Sequence, residues 1–277
     1  MIIGIDGTNW IHSLWHTVGL RAPELAAERL SCLVEYFADK LAGSPAPRQG
    51  LHLVVCWDRR SFRHDLYPEY KAKRKPKDAG LFVVLERGPQ VLSADALQLA
   101  VDGFEADDLL ASLAAAAIVS HQQAVLCSGD HDLYQCVRSG SVSILQAFKT
   151  EKFRLDGQEY SRAYDLSWVT ESTVMTRYAL RPDQWVDYQC LVGESGDNVP
   201  GCPGWGEKWA KAGLLQCDSV AAMLAMLQPG TPSFNPWKVP GGKAKHKSLL
   251  AWKDQYPTTR QLIELRADVW EVWDCLR

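Results

Sequence analysis

The chain reads as an α/β fold built on a parallel sheet, followed by an all-helical region. Three observations carry that reading. Ile2–Asp6, Leu51–Asp58 and Ala124–Asp130 are short apolar runs rich in β-branched residues, each ending in Asp. Runs that stay apolar at nearly every position, rather than alternating, mark strands buried on both faces of a parallel sheet. The segments between them carry helical spacing, and past about residue 166 the strand signal gives way to helical segments alone.

Taken in order, Pro23 to Leu41 sets Leu25, Leu30, Leu33, Val34, Phe37 and Leu41 on one stripe. Leu109 to Val119 is rich in Ala and Leu and starts directly behind a cluster of acids. Strand–helix alternation of this kind puts acids at the C-terminal ends of three strands along one edge of the sheet, where α/β folds place their sites. Later, Trp168–Leu180 and Pro182–Val192 read as two helices, 196–206 as a loop, and Glu207–Leu215 and Ser219–Leu227 as helices again. The stretch 228–242, with four Pro and three Gly, is an irregular loop. The expected domains are 1–165 and 166–277.

With 277 residues, 47% hydrophobic and 23% charged, the composition is that of an ordinary globular protein. A net charge of −3 favours no partner, but its distribution does: residues 59–77 hold eight Lys and Arg against two acids, so the strip is +6 and the remainder −9. A basic strip beside an acidic pit suits a protein that grips phosphates and holds metal. The eight cysteines form no C-x-x-C pair and read as buried free thiols of a reducing cytoplasm. The first residues form a strand rather than a signal peptide, and no apolar run reaches membrane-spanning length. A cytoplasmic protein without membrane contact is expected.

The acids carry the chemistry. Gly103-Phe-Glu105-Ala-Asp107-Asp108 and Ser128-Gly-Asp130-His-Asp132 crowd carboxylates, and Asp6, Asp58, Glu194 and Asp197 sit where they could join them. Two like charges about 5 Å apart repel by roughly 3 kcal/mol at an effective dielectric near 20. Convergence of several pairs therefore calls for a divalent cation or partial protonation. Glu105 and Asp108 lie one helical turn apart, and capping of a helix start accounts for one such acid but not for three. Asp130 and Asp132 point the same way if their strand continues. This is the profile of a two-metal phosphodiesterase.

The segment behind Asp58 runs Arg-Arg-Ser-Phe-Arg63-His-Asp-Leu-Tyr67-Pro-Glu-Tyr70-Lys71-Ala-Lys73-Arg74-Lys75. Its tyrosines offer stacking surfaces to unpaired bases while Arg and Lys hold phosphates. Lys71 and Arg74, three apart, would project from one side of a helix. Gly201-Cys-Pro-Gly204-Trp-Gly206-Glu-Lys208, after Gly196-Asp-Asn-Val-Pro, fits a helix–hairpin–helix that offers backbone N–H groups to a DNA phosphate.

Five blocks, at 5–9, 62–74, 103–108, 128–135 and 192–208, resemble in order those of the flap endonuclease / 5′→3′ exonuclease family. That family includes the 5′-nuclease domain of bacterial DNA polymerase I and free-standing phage relatives. The resemblance implies a PIN-like nuclease domain with an arch region at about 71–101 and a C-terminal helix-three-turn-helix domain. It implies a metal site lined by Asp6, Asp58, Glu105, Asp107, Asp108, Asp130, Asp132, Glu194 and Asp197, holding two Mg²⁺ ions or Mn²⁺ in their place. Lys71 and Arg74 would act on the phosphate, and Tyr70 would stack nearby. Arg63, Lys73, Lys75, Gly201, Gly204, Gly206 and Lys208 would bind DNA, with a potassium ion at the glycine turn. The implied substrate is DNA with a 5′ flap, nick, gap or free 5′ end, cut by a monomeric, free-standing bacterial or phage enzyme.

Three features depart from the family pattern. Glu194 stands where an Asp is usual, Ser13 replaces a usual Arg, and the arch segment after Arg74 matches poorly, with Gly80, Gly88 and Pro89 bracketing only a short helix. Two other readings stay open: a DNA-junction-binding protein with weakened catalysis, and a PIN-type ribonuclease.

Overall fold

The computed structural model describes residues 1–16, 23–42, 50–76, 78–149, 152–155, 158–161 and 164–276. Lys77, counted in the basic strip and the arch, lies outside the described residues. In chain order the elements open with β1 (Ile2–Asp6), α1 (Gly7–Leu14), α2 (Pro23–Ala42), β2 (His52–Cys56), α3 (Arg63–Leu66), α4 (Ala79–Arg87) and β3 (Leu97–Leu99). Next come α5 (Ala106–Val119), β4 (Ala124–Cys127), β5 (Val142–Lys149), β6 (Lys152–Leu155), β7 (Gln158–Ser161) and β8 (Tyr164–Val169). The remainder is α6 (Glu171–Tyr178), α7 (Trp185–Val192), β9 (Gly193–Glu194), β10 (Val199–Pro200), α8 (Glu207–Cys217), α9 (Val220–Leu227), α10 (Gly242–Trp252), α11 (Tyr256–Ile263) and α12 (Trp270–Cys275).

Two compact units result. The first comprises Met1–Ser61, Pro76–Thr170 and Arg266–Arg277; the second, Phe62–Lys75 and Glu171–Leu265. In the first, six strands lie in the order β3-β2-β1-β4-β5-β8. The three apolar runs became β1, β2 and β4, with β1 central and parallel to both neighbours. Register places Asp6 opposite Cys56 and Ile5 opposite Cys127, so the residues that follow all three strands emerge on one edge.

The sheet is mixed, which corrects the expectation of a purely parallel one: β8 runs antiparallel to β5. A parallel return needs a crossover of a dozen or more residues, usually helical, whereas the β5–β8 connection carries the β6–β7 hairpin. The sequence Tyr-Asp-Leu-Ser-Trp-Val also alternates polar and apolar residues, as an outer antiparallel strand does. Trp168 therefore belongs to a strand, and the helix expected from that point begins at Glu171.

On one sheet face, Trp10, Ile11, Leu14 and Trp15 of the α1 region pack with Leu30, Val34 and Phe37 of α2 and Leu81 and Val84 of α4. The short helix expected between Gly80 and Gly88 is α4, followed by a 3-10 turn at Gly88–Val91. Helix α5 is buried along nearly its whole length, as its Ala- and Leu-rich sequence demands. The second unit is largely helical around Val186, Leu191, Trp205, Leu214, Met223, Leu249, Trp252 and Leu262. All eight cysteines are free thiols. Among the described residues no single helix is long and apolar enough to cross a membrane.

Candidate functional site

In the first unit, strand ends and one helix start bring the acids together. Asp6 ends β1 and caps α1: its Oδ1 accepts from the Asn9 N–H at 2.8 Å, and its Oδ2 accepts from the Ser128 hydroxyl at 2.8 Å. Two residues past β2, the Asp58 N–H donates to Thr8 Oγ1 at 3.0 Å, while Asp58 Oδ1 accepts from the Ala106 N–H at 3.0 Å. One carboxylate thus ties the β2 edge to the start of α5, where helix N–H groups lack partners. Beyond β4, the Ser128 hydroxyl accepts from the Asp130 N–H, and Asp130 Oδ1 accepts from the Asp132 N–H. The strand does not continue, as alternation would require. A local turn leading into the 3-10 segment Asp132–Cys136 sets both acids instead.

The charges feel one another. Burial first, then repulsion from Asp58, pushes the Asp6 carboxyl up to about 7, against the Asn9 and Ser128 hydrogen bonds that favour its charge. Burial, followed by Asp130, Asp6, Asp132 and Asp58, drives Asp107 well above the carboxylate range. Asp107 Oδ1 is moreover buried with no hydrogen-bond partner. An orphaned carboxylate oxygen facing four other acids is costly unless a cation joins it. Among the described residues no three His, Cys, Asp or Glu side chains are spaced to hold a metal ion as they stand. The acids therefore fit a hard divalent cation in donor type and charge, without forming a closed ligand set.

Asp108 and Glu105 stand apart from that group in role. Asp108 is fully buried, its Oδ2 accepting from the Glu105 N–H at 3.1 Å and its Oδ1 from the Arg266 N–H at 2.9 Å. The capping role that the sequence allowed for one acid falls here. It also fastens the returning segment beyond Arg266, where Ser112 bonds Arg266 and Val269. Glu105 is the buried N-cap residue of α5. Thr8, Asn9 and Ser128 join the site beyond the acids that the sequence singles out; a hydroxyl or amide beside each strand-end Asp is the available signal. Beside Asp58 opens a cleft of about 700 Å³ lined by Thr8, Trp57, Arg59, Phe82 and Gln98, among others.

In the second unit the basic segment folds around one carboxylate. Asp197 Oδ2 accepts from the Tyr70 hydroxyl at 2.9 Å and lies 3.5 Å from Lys71 Nζ; its Oδ1 pairs with Arg74. Lys71 takes φ +58, a left-handed backbone uncommon for a side chain of its kind, and its N–H donates to the Asp197 carbonyl at 2.8 Å. Tyr70 is buried, edge-on to His64 at 5.2 Å, rather than exposed for stacking. Arg63 is also interior: its Nε donates to the Leu262 carbonyl at 2.8 Å and its Nη2 to the Glu264 carbonyl at 3.2 Å, at the C-terminal end of α11. Lys73, Arg74 and Lys75 are exposed.

Glu194 Oε1 accepts from the Gly196 N–H at 3.0 Å, shaping the β9–β10 turn. Gly193 pairs with Pro200 across this ribbon at φ +82, where an added Cβ would stand 2.5 Å from the Gly201 nitrogen. The hairpin 201–206 then runs into α8, which Gly206 caps. Trp205 lies in the core, and Lys208 lies 5.8 Å from the Trp209 ring centre.

Known proteins match along nearly the whole chain. A family model described as a 5′-3′ exonuclease N-terminal resolvase-like domain matches residues 1–173, and one described as a 5′-3′ exonuclease C-terminal SAM fold matches residues 180–274. Resolvase-like and SAM-fold domains thus replace the expected PIN-like and helix-three-turn-helix ones. The thermostable DNA polymerase I of Thermus aquaticus is 31% identical over 78% of this chain and 23% of its own length. The DNA polymerase I of Treponema pallidum is 35% identical over 76% of this chain and 19% of its own length. The chain thus spans less than a quarter of these curated relatives. Bacteriophage T5 5′-exonuclease with bound divalent metal ions (zinc) superposes with TM-score 0.73 at 18% identity, over 99% of this chain and 96% of that one. A T5 flap endonuclease variant in complex with DNA and metal ions gives TM-score 0.73 at 17% identity over the same shares. At these identities the likeness is one of fold. With both halves matched by its domain models, the chain belongs to the 5′-3′ exonuclease family.

Proposed function

We propose that this chain is a structure-specific 5′ nuclease that hydrolyses phosphodiesters at 5′ flaps, nicks, gaps or free 5′ ends of DNA, in replication or repair. The observation that carries the reading is the orphaned, mutually repelled Asp107 carboxylate among Asp6, Asp58, Asp130 and Asp132. The relatives support it: T5 5′-exonuclease holds divalent metal, and its flap endonuclease variant holds DNA and metal together.

Asp6, Asp58, Asp107, Asp130 and Asp132 would hold the cations. All-oxygen donors favour Mg²⁺, with Mn²⁺ as substitute. When bound, two such ions supply an activated water and neutralise charge on the scissile phosphate. The Ser128 hydroxyl and Asn9 N–H hold the Asp6 carboxylate, the Ala106 N–H holds that of Asp58, and Thr8 fixes the Asp58 main chain. Lys71 and Arg74, held by Asp197, offer cationic charge to a phosphate. The 201–206 turn, with Lys208, takes backbone phosphates of the duplex, with a potassium ion at the turn. The expected setting is the cytoplasm, and the expected state on DNA a monomer.

The test is cleavage of a 5′-labelled single-flap DNA in Mg²⁺, beside a matched RNA flap and an Asp130→Ala control. Incision of DNA near the junction, leaving 5′-phosphate and 3′-hydroxyl ends and lost in the control, is the expected result. Binding without cutting in Mg²⁺ or Mn²⁺ would replace the enzyme by a junction binder, and preference for RNA would replace its substrate.

A further inference from the structure

Trp237 is 93% exposed, the most exposed large apolar side chain among the described residues. It sits on the 3-10 turn Pro236–Lys238, inside the loop between α9 and α10. The loop is held firmly. The Asn235 N–H donates to the Met226 carbonyl at 2.9 Å, Val239 is buried, and the Val239 carbonyl meets His246 Nε2 at 2.6 Å. A fixed turn thus carries a bare indole that contributes almost no burial to the fold.

A single exposed aromatic is ordinary; its setting is not. From Ser219 to Lys253 the chain has five Lys and no Asp or Glu. Lys238, Lys243 and Lys247 are exposed, and His246, which anchors the turn, lies within the lysine run of α10. Lys245 joins this surface to the glycine hairpin: its Nζ donates to the Gly204 carbonyl, and its own carbonyl accepts from Trp205 Nε1 at 3.3 Å. An aromatic face among exposed cations, without a competing carboxylate in the stretch, matches polyanionic nucleic acid with an exposed base better than an apolar protein surface.

We propose that Trp237 is a stacking site for an unpaired DNA base, with Lys238, Lys243 and Lys247 on the neighbouring phosphates. The proposal rests on the DNA-binding reading above and adds a single-strand contact to the duplex contact assigned to the hairpin. Stacking is indifferent to base identity, since every base has a π-face. The site therefore selects for unpaired structure rather than sequence.

The experiment compares a blunt duplex with the same duplex bearing a single-stranded tail. Binding by the full chain, Trp237→Ala and Trp237→Phe is measured in EDTA, so that no cleavage intervenes. Trp237→Ala should weaken tailed-DNA binding by roughly five- to a hundred-fold, the worth of one base–aromatic stack. Blunt-duplex affinity should stay unchanged, and Trp237→Phe should keep most of the tailed-DNA affinity. An unchanged thermal midpoint for Trp237→Ala shows that the fold is intact, as exposure predicts. Equal affinity of Trp237→Ala and the parent for tailed DNA overturns the proposal, as does an equal loss on blunt duplex. A parent protein that binds neither DNA overturns the DNA-binding reading itself, whatever the variants do.

Discussion

Asp107 costs the protein stability in its cation-free form, because its buried oxygen has no partner and four acids repel it. Replacing it by Asn removes a carboxyl that must be either repelled or held protonated, so Asp107→Asn should be more stable than the parent in EDTA by about 1 kcal/mol, the scale of a relieved functional site. Thermal unfolding checks this. Mg²⁺ should raise the midpoint of the parent and leave the variant nearly unmoved, since a ligand stabilises only the state that binds it. Cleavage should be lost in the variant. A different residue tests structure alone. Arg63→Lys keeps the charge but loses the fork that reaches the Leu262 and Glu264 carbonyls, and should destabilise by about 2 kcal/mol, as a buried charge loses hydrogen bonds. Chemical denaturation reads it. Arg63 also shows where sequence reading ended at this scale. A run of cations names candidates for phosphate contact but cannot say which member turns inward, and Arg63 and Tyr70 both did. Strand-end acids were legible because an apolar run stopping at Asp fixes both the edge and the residue.

At the scale of elements, the β9–β10 ribbon carries the clearest constraint. Gly193 takes φ +82 and ψ 165, a region accessible essentially to Gly alone. In Gly193→Ala the new methyl would meet main-chain nitrogen and oxygen at 2.5 and 2.8 Å, and backbone cannot swing aside like a side chain. The variant should lose about 2–3 kcal/mol, strain and contact together. The hairpin follows this ribbon directly, and its Cys202 N–H donates to the Leu191 carbonyl of α7 just before Gly193, so DNA binding should fall with it. Equilibrium denaturation and a duplex-binding titration on one preparation would show both losses. The same scale explains the partly legible sheet. Apolarity identified β1, β2 and β4, each of which is paired with a strand on both sides. Strand β8 shares its ladder with one neighbour, and Leu-Ser-Trp-Val read equally well as the approach to a helix. Only pairing with β5, which is nonlocal, decides its direction.

For the whole molecule, a net charge of −3 conceals strong segregation. The strip 59–77 is +6 and the stretch 219–253 is +5, which leaves −14 for the other residues. Bulk charge therefore gives no attraction for DNA, and association must depend on where the cations lie. Each phosphate neutralised by Lys or Arg releases counterions and adds roughly 0.9 to the slope of log affinity against log salt on duplex DNA. Replacing Lys238, Lys243 and Lys247 together by Gln should make that slope shallower by about 2 to 3 for tailed DNA, slightly less per contact on a single strand. All three side chains are exposed, so the thermal midpoint should stay close to that of the parent. The slope separates this effect from loss of the Trp237 stack, which lowers affinity equally at every salt concentration because no charge changes. Asp107→Asn, measured in EDTA, supplies the opposite control: it changes the acid group without touching the lysine surface. If the slope follows the lysines and ignores Asp107, cation and acid segregation divide the labour, one part gripping phosphate and the other preparing for metal. A slope unchanged by the three Gln substitutions would move the phosphate contacts elsewhere, with the exposed Lys73, Arg74 and Lys75 the first residues to replace.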